Sequence, residues 1–341
     1  MTNSTNGTAD KKKHNTVGKF NKGSQQLDRH PLDILLADDG SEHAHAAVDM
    51  LCDLPLPPET TIHALAVIPT LDLPRHSLLE TILSETETQL KKSGVQVHAE
   101  VKGGVPAASI NDYAEHHKPD LVVLGAKGLR ATLGILLGGV AQQVVEYSCC
   151  PVMVVRAPYL GTRRVLVVTD GSAYSQCALV YLGADVKETA DMGPKCEARL
   201  PLPEEVDIRI MHILPPLITS DMLARTWTVG PDVLFPIPTE SIDEKALQEE
   251  EERQGQALLD EAVKAMKSGG LESSSVLMRG DAATEIINYV KENDIDLIVC
   301  GSRGLSQVSG WLLGSVSRKL VHYAKCSVLI VKRGRHDKDR R

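Results

Sequence analysis

One glycine-rich pattern occurs twice in this 341-residue chain, and it constrains the fold more than any other feature. Each copy is an aliphatic run that ends in Gly-x-x-Gly, followed by nine residues, a further glycine and an amphipathic stretch. The first glycines of the two copies are Gly125 and Gly301, a spacing of 176 residues. Glycines between a strand and a helix let backbone N–H groups approach a phosphate without interference from a Cβ atom. The repeat therefore predicts two related units, each with a candidate phosphate-binding loop.

The composition favours cores built from aliphatic residues. Apolar residues make up 42% of the chain but aromatic residues only 3%, so Val, Leu, Ile and Ala must fill the interior. Unbroken aliphatic runs are typical of parallel strands that helices cover on both faces. A chain of this length is long enough for two domains of about 150 residues each. We therefore expect two tandem α/β domains.

The first unit alternates short aliphatic runs with amphipathic stretches. Asp39 and Ser41 stand where a helix N-cap is expected, and Ser77 and Glu80 form a capping-box pattern at the head of a longer helix. The predicted strands are 34–37, 61–68, 95–101, 121–124 and 152–155, and the predicted helices are 42–51, 77–92, 106–115 and 139–148. Five strands that alternate with four helices predict a doubly wound parallel sheet, because right-handed crossovers place helices on both faces.

The second unit repeats this order, with predicted strands at 165–168, 208–214, 274–278, 297–300 and 327–331. Between its first and third strands it carries insertions at about residues 184–205 and 215–240. Both are rich in Pro and polar residues, so we expect surface loops. Trp227 and Phe235 in the second insertion could fold over a neighbouring site as a lid, or pack on the surface of their own domain.

The domain boundaries follow from these patterns. We expect a disordered basic tail at 1–31, a first domain at 32–157, a linker at 158–163, a second domain at 164–332 and a basic tail at 333–341. So short a linker keeps the two five-stranded sheets close together. We therefore expect the domains to pack as an intramolecular pseudo-dimer, with their last strands facing each other across a two-fold axis.

Charge is distributed unevenly along the chain, whose formal net charge is −8. Lys and Arg exceed Asp and Glu by four in residues 1–32 and again by four in residues 332–341, so the body between them is acidic. An acidic body argues against nucleic-acid binding by the folded domains, which would need a basic face. The sequence also lacks an apolar run of the ~18–20 residues that a membrane span needs and a signal-peptide core. We therefore expect no membrane contact and a cytoplasmic protein.

Two motifs together carry a resemblance to a known family. Asp170-Gly-Ser172 follows the first strand of the second unit, and Gly-x2-Gly-x9-Gly-Ser, from Gly301 to Ser315, follows its fourth strand. With these motifs the chain resembles the universal stress protein family in its tandem-domain form, over about residues 32–332. The resemblance implies an adenine nucleotide alpha hydrolase-like fold, a cytoplasmic protein that could also form a homodimer, and a role in survival under stress. It further implies binding of ATP or another adenine nucleotide, since one branch of the family binds ATP through this motif.

The resemblance implies a nucleotide site in the second unit. Asp170 would lie at the adenosine, and Ile213 would offer backbone contacts to the adenine. The glycines would follow the ribose and phosphates, and N–H groups at the start of the last helix would bind the phosphates together with the Ser315 hydroxyl. Arg303 would add charge, although it could equally be a solvated loop residue, and Mg²⁺ would bridge phosphate oxygens. The matching positions are Asp170, Ile213, Gly301, Arg303, Gly304, Gly314, Ser315 and Val316.

The first unit departs from the family pattern at one place, because Gly139 stands where the pattern has Ser or Thr. One hydroxyl contact is lost there, while the backbone contacts can survive. Losing one neutral hydrogen bond costs on the order of 1 kcal/mol, so we expect a weaker site in this unit. The matching positions are Asp39, Val67, Gly125, Gly128, Gly138 and Gly139, with Lys127 or Arg130 supplying charge.

The sequence offers no support for catalysis. Neither glycine loop has a base or nucleophile beside it, and the chain lacks the Walker, GxGxxG, HExxH and GxSxG patterns. We therefore expect binding rather than catalysis, with no metal site built by the protein. Two alternatives stay open, a nucleotide-free scaffold that works through protein contacts and a weak ATPase. Cys149 and Cys150 precede a strand, where packing and a redox role are both compatible with the sequence.

Overall fold

The structure is a computed structural model that describes residues 30–68, 73–129, 136–186, 199–217, 244–305 and 313–333. Some of the sequence predictions fall outside these ranges. They are nearly all of the two basic tails, most of both insertions, Trp227, Phe235 and Arg130.

The strands of the described ranges form one continuous ten-stranded sheet. They are β1 Asp33–Ala37, β2 Thr61–Ile68, β3 Gln96–Gly103, β4 Leu121–Gly125, β5 Val152–Val155, β6 Arg164–Val168, β7 Asp207–Leu214, β8 Ser273–Arg279, β9 Leu297–Gly301 and β10 Ser327–Val331. Their order across the sheet is β3-β2-β1-β4-β5-β10-β9-β6-β7-β8. Neighbours within each half are parallel, and the halves meet where β5 pairs antiparallel with β10.

Helices cover both faces of this sheet. Within the described ranges they are α1 Glu42–Asp53, α2 Leu73–Lys91, α3 Pro106–His117, α4 Gly139–Tyr147, α5 Ala173–Tyr181, α6 Glu244–Ser268, α7 Ala282–Glu292 and α8 Ser315–Tyr323. Helices α1, α2, α5 and α6 bury their apolar side chains against one face, and α3, α4, α7 and α8 bury theirs against the other. None of the helices in the described ranges combines the length and the apolar character that crossing a membrane requires.

The predicted α/β architecture of two doubly wound parallel units is confirmed. The structure differs from the prediction in one respect. The two predicted five-stranded sheets are joined edge to edge into one sheet. The paired residues are Val152 with Ile330, Met153 with Leu329, and Val154 with Val328. All residues of both strands are buried. Left unpaired, these apolar strands would expose a row of N–H and C=O groups at the edge of each sheet.

Helix α2 begins earlier than the capping-box pattern predicts. It starts at Leu73 rather than near Ser77, so the predicted start is wrong. Pro74 stands at the second helical position. Backbone N–H groups in the first turn of a helix have no acceptor within the helix, so proline, which lacks this N–H, breaks no helical hydrogen bond there. Inside the helix, the Ser77 carbonyl accepts a hydrogen bond from the Thr81 hydroxyl at 3.0 Å.

Two cations cross the junction between the halves. Arg156, which follows β5, is 8% exposed, and its guanidinium donates to the carbonyls of Leu136 at 2.6 Å and Val321 at 2.8 Å. Lys332, which follows β10, is equally buried, and its Nζ donates to the carbonyl of Val145 at 2.7 Å. Val145 and Val321 lie in the last turns of α4 and α8. Since a cation is favourable at a helix C-terminus, each half stabilises a helix of the other half.

Replacing the Arg156 guanidinium with an apolar side chain should destabilise the protein strongly. In the Arg156→Met variant the carbonyls of Leu136, Val321 and His322 lose a charged donor, so we expect the free energy of unfolding to fall by roughly 2–4 kcal/mol. Lys332→Met loses one such bond and should cost roughly 1.5–3 kcal/mol. Urea denaturation followed by circular dichroism measures both changes.

Arg163→Met is a matched control, because this arginine is exposed and lies in the same connection between the halves. A surface substitution of this kind should change the free energy of unfolding by less than about 0.5 kcal/mol. If Arg156→Met were as stable as the control variant, the guanidinium would not be stabilising the junction.

Candidate functional site

The strand order reverses beside the first strand of each half. In the first half β1 lies between β2 and β4, and the helices that follow β1 and β3 pack on opposite faces of the sheet. A reversal of this kind leaves a crevice outside the carboxyl ends of the strands, where open α/β sheets bind ligands. Asp39 follows β1 at this edge, and Gly125 ends β4. The second half repeats this order with β6 between β7 and β9.

A cleft of about 450 Å³ occupies this edge of the first half. All six positions that the sequence matched to a nucleotide site in this unit line it: Asp39, Val67, Gly125, Gly128, Gly138 and Gly139. Lys127 also lines the cleft, and most of the other wall is apolar. The volume lies within the range of roughly 300–1,000 Å³ that is usual for small-molecule sites.

An aspartate clasps the turn after β1 to the glycine loop after β4. The Asp39 carboxylate accepts hydrogen bonds from the backbone N–H of Ser41 at 3.1 Å and of Leu129 at 3.2 Å. Ser41 caps α1 by accepting from the Ala44 N–H, and its hydroxyl donates to the Lys127 carbonyl at 3.0 Å. Both side chains therefore hold the glycine loop against the start of α1.

The second half repeats the aspartate clasp. Asp170 accepts from the backbone N–H groups of Ser172 and Leu305, both at 3.0 Å. The sequence placed Asp170 and Asp39 at the adenosine of a bound nucleotide. In the structure each carboxylate joins the turn after the first strand of its half to the glycine loop.

The second glycine of each loop is required by this clasp. A Cβ atom at Gly128 would overlap the Oδ2 atom of Asp39, and one at Gly304 would overlap the Oδ2 atom of Asp170. A side chain at either position would therefore push the aspartate away from its two N–H donors. This demand exists whether or not a ligand is bound.

The first glycine of each loop is required by a helix. A Cβ at Gly125 would lie 2.7 Å from the carbonyl carbon of His43 in α1, and one at Gly301 would lie 2.5 Å from the carbonyl oxygen of Tyr174 in α5. Backbone atoms cannot move aside cheaply. These glycines thus allow the start of a helix to pack directly on the end of a central strand.

Helices α4 and α8 begin at this edge without a side-chain cap. Gly138 and Gly314 are their N-cap residues, and no side chain of the described residues caps the first turn of either helix. A Cβ at Gly139 would meet no heavy atom of the described residues within 4 Å, and Ser315, at the corresponding position, is exposed. N–H groups at an uncapped helix start, together with the helix dipole, favour an anion. Packing does not decide whether a glycine or a serine follows the N-cap.

Arg303 lies beside the start of α5 in the second half. Its guanidinium is 5.7 Å from the ring centre of Tyr174, and the guanidinium of Arg333 is 5.9 Å from the same ring. Such distances allow a cation–π attraction. Arg303 is therefore held near the glycine loop, and Lys127 occupies the corresponding position in the first half.

His43 takes the place of Tyr174 in the first half. Its Nδ1 accepts a hydrogen bond at 2.8 Å from the backbone N–H of Ala157, so the neutral ring carries its proton on Nε2. Burial lowers the pKa of His43, and the positive charge of Lys127 lowers the pKa further. The structure thus holds this imidazole neutral beside the glycine loop.

The carboxylates that line the cleft are engaged in structural hydrogen bonds. Asp38 accepts from the Gly40 N–H at 2.9 Å and from the Thr86 hydroxyl at 2.7 Å, and Asp39 makes the clasp described above. The described residues contain no cluster of three or more His, Cys, Asp or Glu side chains that could hold a metal ion. The arrangement can bind an anion and an apolar group, and it presents no carboxylate poised as a general base among these residues.

The other sequence-matched positions of the second half lie at the same edge. Ile213 is half-buried near the end of β7, Val316 is half-buried in the first turn of α8, and Gly314 donates its N–H to the Ser302 carbonyl at 2.7 Å. Residues 306–312 of this glycine loop lie outside the described ranges. In the first half the sequence missed the wall that α3 contributes through Pro106 and Ile110. The Gly-Gly-Val-Pro turn before α3 is the sequence feature that could have indicated this wall.

Together these features define a doubly wound α/β protein whose duplicated units each place a glycine loop and an uncapped helix at the carboxyl ends of the strands. A model of the Universal stress protein family matches residues 32–156 and 161–332. The chain therefore belongs to the universal stress protein family, in the tandem form that the glycine pattern predicts.

Relatives and solved structures agree with this membership. Universal stress protein YxiE of Bacillus subtilis is 29% identical over 170 residues, which are 50% of this chain and 98% of that protein. Universal stress protein Rv2623 of Mycobacterium tuberculosis is 25% identical over 264 residues, 76% of each chain. A solved universal stress protein from Archaeoglobus fulgidus superposes with a TM-score of 0.56 at 22% identity, covering 89% of this chain and 97% of that one. At this identity the likeness to the solved structure concerns the fold alone.

A methyl group at Gly304 should destabilise the protein, whereas one at Gly139 should not. Gly304→Ala displaces the Asp170 carboxylate from its two N–H donors, so we expect a loss of roughly 1–3 kcal/mol in the free energy of unfolding. Gly139→Ala adds a Cβ in open space and should be neutral or up to about 1 kcal/mol stabilising, because alanine is the better helix former. Chemical denaturation compares the two variants, and equal effects would contradict the clasp.

Stability should fall as the pH drops below about 6.5. Burial lowers the pKa of His43, His63 and His322 in the folded state, so below the unfolded value of about 6.5 the unfolded chain binds more protons. Urea denaturation at about pH 7.5 and about pH 5.5 should show the loss. His43→Asn keeps an acceptor for the Ala157 N–H and should reduce the pH dependence. The exposed control His45→Asn should leave it unchanged.

Proposed function

We propose that this chain binds an adenine nucleotide, ATP with Mg²⁺, at the carboxyl ends of the strands, and acts in stress response or signalling through binding rather than catalysis. One observation carries the proposal: six sequence-matched positions line one cleft that ends at the uncapped start of α4. The apolar wall suits a planar base, and the N–H groups of the helix start suit phosphates. A nucleotide combines a planar base and phosphates in one ligand.

The polar groups of the cleft support binding of a metal-nucleotide complex over hydrolysis. Asp38 and Asp39 are engaged by donors of the protein, so Mg²⁺ would be held by phosphate oxygens and water rather than by these carboxylates. The same engagement leaves these two groups without a role as general base. A turnover assay with labelled ATP measures any slow hydrolysis.

The ligand itself can be identified directly. Freshly purified protein should release an adenine nucleotide on denaturation, detectable by mass spectrometry. Calorimetric titration of the emptied protein with ATP, with and without Mg²⁺, should show binding. If neither measurement finds a nucleotide, the proposal is wrong.

A scaffold that binds no nucleotide is the second candidate, and one observation favours it. Gly125 and Gly128 have packing reasons that require no ligand, namely the approach of α1 and the Asp39 clasp. On this reading the loops hold the fold and function lies in protein contacts. The two candidate functions predict different results at Gly139, where no described residue packs against the position: a bound nucleotide would respond to a new hydroxyl, and a scaffold would not.

We also propose that the halves act as an intramolecular pseudo-dimer. The antiparallel pairing of β5 with β10 and the reciprocal contacts of Arg156 and Lys332 support this arrangement. Small-angle scattering that required two independently moving domains would argue against it. Whether two chains associate further into a homodimer is measurable by analytical ultracentrifugation.

Exchanging one hydroxyl between the halves should exchange their affinities. Gly139→Ser adds a donor at the start of α4 and should tighten ATP binding in the first half roughly five- to tenfold. Ser315→Gly removes the corresponding group and should weaken the second half by a similar factor. Calorimetry or native mass spectrometry provides the affinities.

A tryptophan at position 139 or 315 is expected to block nucleotide binding in its own half, so that the affinity of the other half can be measured alone. Ser315→Trp covers the start of α8 and leaves the first cleft, and Gly139→Trp does the reverse. If both hydroxyl variants bind ATP as the unmodified chain does, the helix starts do not contact phosphate.

A further inference from the structure

Cys149 and Cys150 stand side by side between α4 and β5, and the proposed function makes no use of them. Their Sγ atoms are 3.5 Å apart. Cys149 is half-buried and Cys150 is buried, so the pair is reached from solvent through Cys149. At the corresponding place in the second half stand Lys325 and Cys326, which provide a single thiol.

The backbone holds the two thiols in this arrangement. The Ser148 hydroxyl accepts from the Cys150 N–H at 3.2 Å and contacts the Cys150 carbonyl at 3.3 Å, which fixes the bend after α4. Both thiols point at one acceptor, the Ala114 carbonyl, at 3.6 and 3.7 Å. That carbonyl also accepts the Lys118 N–H at 3.0 Å, so it keeps a donor if the thiols lose their protons. The pair is thus ordered before any reagent arrives.

The distance between the two Sγ atoms can be compared with the distances in a disulfide and in a bridge through one shared atom. A disulfide needs sulfurs about 2.05 Å apart, so closing one here would require a movement of about 1.5 Å within a fixed bend. Two sulfurs that bind one atom at about 2.3 Å lie roughly 3.8 Å apart at a tetrahedral angle and about 4.6 Å apart in a linear complex. The observed 3.5 Å is nearer to the separation in a bent bridge through one atom than to that in a linear complex.

The surroundings further narrow the bridging atom. A structural zinc ion needs four ligands, and the described residues contain no group of three or more His, Cys, Asp or Glu side chains that could hold a metal. The hydrogen bond with Cys149 and burial raise the pKa of Cys150, so this thiol is protonated at neutral pH. The atom that bridges the two sulfurs must therefore bond both of them at a bent angle and fill its remaining valence with a substituent of its own. Because the thiols are protonated, it must also carry an oxygen that can leave with the two thiol protons as water.

We propose that Cys149 and Cys150 form a binding site for trivalent arsenic that bears one organic substituent. The site takes one arsenic atom per chain. In the reaction R–As=O reacts with two thiols, two As–S bonds form, the As=O bond breaks, and its oxygen leaves with both thiol protons as one water molecule. No oxidant or reductant is needed, because arsenic stays trivalent and both sulfurs stay at the thiolate level.

Phenylarsine oxide tests this site on the full chain. Intact-mass spectrometry should show one adduct per chain, retained in the presence of excess glutathione and removed by dithiothreitol, because a dithiol competes for both As–S bonds. Peptide mapping should place the adduct at residues 149–150. Loss of two hydrogens on treatment with peroxide, together with no retained arsenical, would overturn the proposal in favour of disulfide closure.

Single-thiol variants provide the controls. Cys149→Ser and Cys150→Ala should each lose the glutathione-resistant adduct, and circular dichroism verifies that they are folded. Cys52→Ser removes a half-buried cysteine elsewhere in the first half and should retain the adduct in full. A resistant adduct that persists in Cys149→Ser, or that disappears in Cys52→Ser, would overturn the assignment of the site.

Discussion

The antiparallel pairing of β5 with β10 determines more of this molecule than any other contact. It joins two five-stranded halves into one sheet and buries both strands completely. It also brings Arg156 and Lys332 to the C-terminal turns of α8 and α4. The N-termini of these same helices stand at the two candidate sites. Since the helix dipole favours a cation at the C-terminus, each half stabilises the helix that begins at the candidate site of the other half.

The aspartate clasp gives the glycine pattern a packing reason besides a ligand reason. Gly128 and Gly304 leave room for the carboxylates of Asp39 and Asp170, which tie the first turn of each unit to its loop. A glycine pattern read alone cannot separate the two reasons, because both require the absence of a Cβ atom. The neighbours of each glycine separate the two reasons, and a Cβ at Gly139 would have no neighbour within 4 Å among the residues that the structure describes.

Local sequence predicted most strands well, because strands buried on both faces form unbroken aliphatic runs; β5 has the predicted bounds. The six positions that the family resemblance assigned to a nucleotide site all line the first cleft, and their contact with a nucleotide stays a prediction. Local sequence misplaced the start of α2, since Ser77 fits a cap but Pro74 equally fits a first turn. The joined sheet, the α3 wall of the cleft and the contact of Arg156 with α8 depend on distant elements meeting in space. No local pattern carries that information.

Because the chain is duplicated, equivalent positions of the two halves can be compared within one molecule. Positions that pack tightly are the same in both halves, as Gly128 and Gly304 are, along with their aspartates. Positions free of packing demands differ, as Gly139 and Ser315 do. Packing against the described residues thus accepts either residue at the start of the helix that faces the cleft. Under the proposed function, the Ser315 hydroxyl is the group by which the two candidate sites differ.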